Sequence, residues 1–112
     1  MPPEDRKLLV DMLNAAAEIQ AFTAGKSFEQ YLGSLQLRWS VERGFEIVGE
    51  ALTQLRKIDP ATAESITDWQ AIIGFRNVLI HGYSAVKHDK TWDIVQSELP
   101  VLRRELGDLL KS

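Results

Sequence analysis

At 112 residues, 45% hydrophobic and 26% charged, the chain has the size and composition of one folded domain and not of a disordered segment. It holds no cysteine, which excludes disulfides, thiolate chemistry and cysteine-based zinc sites and suits a reducing cytoplasm. A formal charge of −3 excludes a general attraction to polyanions, so any nucleic-acid contact must be local or shared with a partner.

The N-terminal MPPEDRKLLV has no basic stretch followed by an apolar segment, and no apolar run approaches the ~20 residues of a membrane span. The expectation is therefore a cytoplasmic protein without membrane association. Leu8, Leu9, Met12, Ala16, Ile19 and Phe22 recur at three- and four-residue spacing and predict a helix over residues 4–23, stopped at Gly25. Ser27-Phe-Glu-Gln30 has capping-box spacing and opens a short helix ending near Gly33. Leu37, Val41, Phe45, Val48, Leu52 and Leu55 form one apolar stripe on a long helix over residues 35–57. Asp59-Pro60 reads as an N-cap followed by proline at the first helical position.

Thr67-Asp-Trp-Gln70 is a second capping box, opening a helix that runs to residue 80 or 81, where Gly82 ends it. Asp89 is placed to cap a helix over residues 90–97. Pro100, lacking an amide N–H, kinks that helix or begins another reaching residue 110. Strand signals are nearly absent, and no repeat or long linker divides the chain. The fold class is an all-α bundle, one domain over residues 1–112. Trp39, Trp69 and Trp92 fall on helices, as core or interface residues more than as base-stacking platforms.

The helix after Thr67 is unusual. Trp69, Ile72, Ile73, Phe75, Val78, Leu79 and Ile80 cover most of its circumference, as expected of a helix buried in a core or a subunit interface. Gln70, Gly74, Asn77 and His81 make one narrow polar stripe, and Gly74 suggests a close approach to the backbone. Arg76 lies in the middle of the apolar surface. A guanidinium cannot lose its proton and needs solvent or an anion, and a carboxylate on another helix is the simplest partner. Glu42, Glu46 and Glu50 stand in line on the helix over residues 35–57, and Arg38, Arg43 and Arg76 are their candidate partners. A solvated acidic face is the alternative.

His81 can exchange protons near neutrality, and Arg76 can hold a phosphate bidentately. With the ribose 2′-OH as nucleophile, the two suffice for cleaving RNA without a metal. They stand about 140° apart on a regular helix, so a shared site needs either a curled Arg76 or a second copy of the helix. A histidine favourable to the helix dipole and a hydrogen-bonded edge tyrosine at Tyr83 are the plainer readings. Lys87-His88-Asp89-Lys90 reads as a solvated helix start, with phosphate contacts as the alternative. The chain's two histidines, without a carboxylate at ligand spacing, make no metal site.

The stretch RNVLIHGY, Arg76 to Tyr83, resembles the Arg-x4-6-His motif, extended by x-Tyr, of the HEPN superfamily. More specifically, the chain is similar to HepT-like toxins of HEPN/MNT toxin–antitoxin pairs. VERGFEIVGEA at residues 41–51 is similar to that family's third-helix signature, and Trp92-Asp-Ile with Leu99-Pro-Val-Leu102 to its C-terminal segment. The resemblance implies a HEPN-type up-and-down bundle of about four to six helices that forms a homodimer, with two motif copies facing one cleft. It implies a metal-independent endoribonuclease toxin, of a pair like types II and VII, needing no cofactor. Arg76 and His81 would be catalytic and Asn77 would support them. Tyr83 would accept AMP from a cognate MNT-fold nucleotidyltransferase antitoxin, which silences cleavage of the RNA substrate. Gly82, at the motif's variable position, would loosen the segment. The rival reading is a non-catalytic subunit that binds a nucleotide or the transferase.

Overall fold

The computed structural model describes residues 1–112. The chain runs through α1 (Pro3–Thr23), α2 (Phe28–Leu32), α3 (Leu35–Ile58), α4 (Pro60–Glu64) and α5 (Trp69–His81). A 3-10 turn (Tyr83–Ala85), α6 (His88–Asp93), a π-helical turn (Ile94–Glu98) and α7 (Leu99–Lys111) complete it. It is all-α, and no helix is long and apolar enough to cross a membrane.

Local chemistry sets several helix ends where the sequence places them. Ser27 Oγ accepts from the Gln30 backbone N–H at 3.1 Å while Gln30 Oε1 accepts from the Ser27 N–H at 2.8 Å, a complete capping box. Asp59 accepts from the Thr62 N–H at 3.2 Å and caps α4. Gly25, at φ 72°, takes the left-handed turn that ends α1.

Other starts differ. Thr67 does not cap α5: its N–H and hydroxyl donate to the Glu105 carboxylate of α7, at 2.9 and 2.6 Å. A carboxylate accepting both bonds outcompetes a neutral box within the helix. Asp68 becomes the N-cap at φ 58°, without a side-chain cap bond. Asp89 is not a cap either, because α6 begins two residues earlier than expected, at His88 with Lys87 at the N-cap. Pro100 opens a new helix, the second of the two outcomes its missing amide N–H allows: it sits in the first turn of α7, which runs to Lys111. The π turn before it widens the ladder, with Leu99 N–H donating to the Ile94 carbonyl.

Packing follows the apolar stripes. Leu9, Met12, Ala16 and Ile19 of α1 meet Val41, Val48, Leu52 and Leu55 of α3, all completely buried. Each of the larger side chains, Ala16 apart, contributes about 1.5–3 kcal/mol of transfer free energy. Leu99, Leu102 and Leu106 of α7 close on the other side of α1. The long helices therefore lie in a row, α7–α1–α3–α5, and α5 leans on α3. Between α5 and α7 runs an apolar groove of about 220 Å³, floored by Phe45 and Val48 and walled by Ile72, Phe75, Leu99 and Leu102.

The encirclement of α5 by apolar residues does not translate into burial within the chain. Leu79 alone is buried, Ile72, Ile73, Phe75 and Val78 are half-buried, and Ile80 is exposed. Gln70, Gly74, Asn77 and His81 do form an exposed polar face. Trp39, expected in a core or interface, is 60% exposed on this chain. Trp69 is half-buried with the Arg56 guanidinium 4.4 Å above its ring, and Trp92 packs on Tyr31 at 5.1 Å.

Close approach happens at a different glycine from the one expected. A Cβ on Gly74 would meet nothing within 4 Å, whereas one on Gly49 would lie 2.3 Å from Arg76 Cβ. Gly74→Ala is accordingly expected to raise stability by about 1 kcal/mol, the helix-propensity difference, in thermal or denaturant unfolding. A destabilised variant would show that something does press on that face.

Candidate catalytic and modification site

Arg76 reaches α5's neighbour through the gap that Gly49 leaves. Its Nη2 donates to Glu50 Oε2 at 2.5 Å, and its Nη1 donates to Asn77 Oδ1 at 2.9 Å. The side chain is 22% exposed, and Nε is buried without a partner in the chain. The carboxylate expected for Arg76 is thus Glu50. Gln54, 3.2 Å from Glu50 Oε1, and then the Arg76 guanidinium hold the Glu50 carboxyl below its ordinary value against partial burial. Asn77 fixes the guanidinium plane from the next position along the helix, leaving other N–H groups for an incoming anion.

The three glutamates do not act as one line. Each i,i+4 step drifts about 40° around the helix, so two such steps set the three side chains against three different neighbours. Glu46, half-buried, faces the exposed Arg43 at 3.6 Å. Glu42 is buried at 4% exposure, and its Oε1 accepts from the Tyr83 hydroxyl at 2.7 Å. Arg38 bonds the Leu32 carbonyl instead of a carboxylate.

His81 is the last residue of α5, exposed, and makes no hydrogen bond to Arg76. One chain therefore brings Arg76, Asn77 and Glu50 together, and separately Tyr83 and Glu42, but leaves His81 alone. Gly82 ends the helix and the 3-10 turn carries Tyr83 back toward α3.

Around Glu42 lies a polar cluster that sequence reasoning missed. His88 Nδ1 stands 4.0 Å from Glu42 Oε2, and both atoms are buried without a hydrogen-bond partner in the chain, as is the Tyr31 hydroxyl. Tyr31 is fully buried against His88 and Trp92. The one available signal was Glu42 itself, adjacent to the apolar stripe at Val41 and Phe45. His88 is consequently half-buried and not part of a solvated helix start.

Both phenols titrate high. Burial, then the Glu42 charge, pushes Tyr31 up, and the hydrogen bond to Glu42, then burial, pushes Tyr83 up against the Trp39 indole and Arg38. A raised folded value means stability that is complete below the unfolded phenol value, about 10, and lost as pH rises through the folded one. Phenolate absorbance should therefore appear late, that of Tyr31 together with unfolding. Glu42→Gln should return Tyr83 toward the ordinary range, and two phenols titrating normally in the native protein would contradict the arrangement.

A family model described as "Ribonuclease HepT-like" matches residues 12–109. The chain belongs to the HepT-like family. A Methanocaldococcus jannaschii protein named as a candidate RNase is 30% identical over 112 residues, covering 99% of this chain and 92% of that protein. Another candidate RNase, from Caldanaerobacter subterraneus subsp. tengcongensis, is 32% identical over 87 residues, 78% of this chain and 77% of its own. A Thermococcus cleftensis protein named as a candidate ribonuclease HepT is 28% identical over 111 residues, 99% of this chain and all of its own. No solved structure matches the chain.

Proposed function

We propose that the protein is a metal-independent endoribonuclease, in which His81 moves protons and Arg76 stabilises the phosphorane as the ribose 2′-OH attacks the adjacent phosphorus. Attack needs a proton removed from the 2′-OH and one delivered to the departing 5′-oxygen, the work of a group titrating near neutrality. Charge gathers on the non-bridging oxygens, where a guanidinium oriented in advance acts without reorganising. The observation that carries this reading is the Arg76–Asn77 pair, held on α5 of a chain that belongs to a ribonuclease-named family.

Because His81 and Arg76 stand about 140° apart on the helix and share no hydrogen bond, the reading includes a homodimer in which two α5 helices share a cleft. Exposed Ile80, Trp39 and Tyr83 beside the motif support that assembly. In the same reading the protein is the toxin of a toxin–antitoxin pair in the cytoplasm. A cognate MNT-fold nucleotidyltransferase adds AMP to Tyr83, placing a phosphodiester charge and a nucleoside at the cleft mouth, where they repel and block RNA.

The test is RNA cleavage by purified protein in EDTA. Wild type should cut, and His81→Ala, with folding verified by its melting curve, should lose about 10²-fold or more. Cleavage by His81→Ala at the wild-type rate would remove the catalytic assignment. A net charge of −3 and an Arg76 already engaged by Glu50 favour the rival, a non-catalytic subunit that binds the transferase. That reading requires wild type itself to leave RNA intact.

A further inference from the structure

The reading of Tyr83 as a nucleotide acceptor leaves a chemical question, which the surroundings of Glu42 answer. A phenol is a weak nucleophile until it loses its proton. Glu42 and burial hold Tyr83 above its ordinary value, so the phenolate is scarce at neutral pH. The proton must then depart during attack, and it already points at an acceptor: Tyr83 Oη donates to Glu42 Oε1 at 2.7 Å.

We infer that Glu42 is the general base for nucleotide transfer to Tyr83, taking the phenolic proton as Oη attacks the α-phosphorus of a nucleoside triphosphate. The inference rests on the acceptor reading of Tyr83. The Oη–P bond forms, the bond from the α-phosphorus to the bridging oxygen breaks, pyrophosphate leaves with that electron pair, and the proton moves to Glu42 Oε1. The nucleoside triphosphate is the co-reactant and comes with the transferase.

Geometry supports each part. With its hydrogen directed at Glu42, Oη keeps its lone pairs on its other side, where the Trp39 indole approaches one of them. A cleft of about 270 Å³ opens there, lined by Trp39, Glu42, Arg43, Glu46, Leu79 and Tyr83. Arg43, largely exposed and held only by its 3.6 Å pair with Glu46, can turn to a phosphate. Glu42 itself is buried and committed to no lysine or arginine. Its nearest basic partner is His88 Nδ1, 4.0 Å from the other oxygen, and that oxygen has no hydrogen bond. A carboxylate engaged only with a phenol is suited to receive that phenol's proton. A purely structural glutamate in this position would be expected to hold its helices together through both oxygens.

The experiment follows AMP addition by intact mass, using the full chain, a cognate MNT-fold transferase, and magnesium ATP. Tyr83→Phe should gain no AMP. Glu42→Gln, which keeps size and hydrogen bonding, should be modified about 10²-fold more slowly at saturating chain, with its KM and melting temperature near wild type. Glu42→Asp should recover part of the rate, and it carries the test if Glu42→Gln does not fold. A wild-type rate in Glu42→Gln, or a change confined to KM, overturns the inference.

If an active transferase leaves the wild type unmodified, the acceptor reading fails by itself. The base is then decided with N-acetylimidazole, whose acyl group moves to Oη while the phenolic proton passes to Glu42 and on to the departing nitrogen, releasing neutral imidazole. Acetylation of Tyr83 faster in wild type than in Glu42→Gln shows that Glu42 takes the phenolic proton, so that the acceptor reading alone has failed. Equal or slower acetylation in wild type ends the inference.

Discussion

Gly49→Ala is expected to lower stability by about 1–3 kcal/mol, the range for overpacked contacts, and to reduce RNA cleavage by about 10²-fold. The new Cβ would stand 2.3 Å from Arg76 Cβ, 2.8 Å from its Cγ and 3.4 Å from the Ile72 carbonyl oxygen. Arg76 Cβ is fixed to the α5 backbone and cannot rotate away. The helix must retreat, carrying the guanidinium from Glu50 and its aim. Gly44→Ala is the control, since its Cβ would meet Ile19 Cγ1 and Cδ1, at 2.5 and 2.8 Å, atoms that can move by rotation about the Ile19 side-chain bonds. That variant should lose stability but keep more activity. Denaturant unfolding and a cleavage assay on both proteins decide it, and a Gly49→Ala protein as stable and active as wild type would refute the close seam.

Arg76→Ala should reduce kcat for RNA cleavage by about 10²–10³-fold, the typical loss of one preorganised charge donor. The cost to folding should be small. Glu50 is 48% exposed, so water replaces its lost partner, and the variant removes a buried Nε that has none. Arg76→Lys separates charge from shape. It keeps a cation near Glu50 but loses the planar fork and the bond to Asn77, and should recover binding more than kcat. Glu50→Gln completes the set: if Arg76 served only to pair that carboxylate, Glu50→Gln would match Arg76→Ala. Undiminished cleavage by a folded Arg76→Ala would leave Arg76 as a structural residue.

Much of the frame can be read from local rules, because the residues that set it are near in sequence. The stripes on α1 and α3, the Ser27 box and the Asp59 cap each need partners within one or two turns. The polar face through Gln70, Asn77 and His81, and a carboxylate for Arg76 on α3, follow from angle and charge. What escapes depends on distant neighbours. Thr67 has the spacing of a capping residue, but Glu105 arrives from α7 to claim both its donors. Gly74 and Gly49 are indistinguishable as letters, and which one a neighbour presses on is decided by how α5 lies on α3. Glu42 looked like one of three repelling charges until the turn after Gly82 brought Tyr83 back to it. No residue pattern announces the π turn, since an extra residue in a ladder has no chemistry of its own.

The row of helices also apportions motion within the molecule. Both α1 and α3 have a long helix on either side, while α5 has one on α3 alone and is moored at its start by the Thr67–Glu105 bonds. Local opening starts where the fewest buried contacts must part, so α5, which buries Leu79 alone, is cheaper to release than α1 or α3. The helix bearing Arg76, Asn77 and His81 can then tilt or detach briefly while the rest of the bundle stays folded. Its amide protons should exchange with solvent well before those of α1 and α3. A segment that yields so readily can settle against whatever shares its open side, so the orientation of the motif is finished by its company.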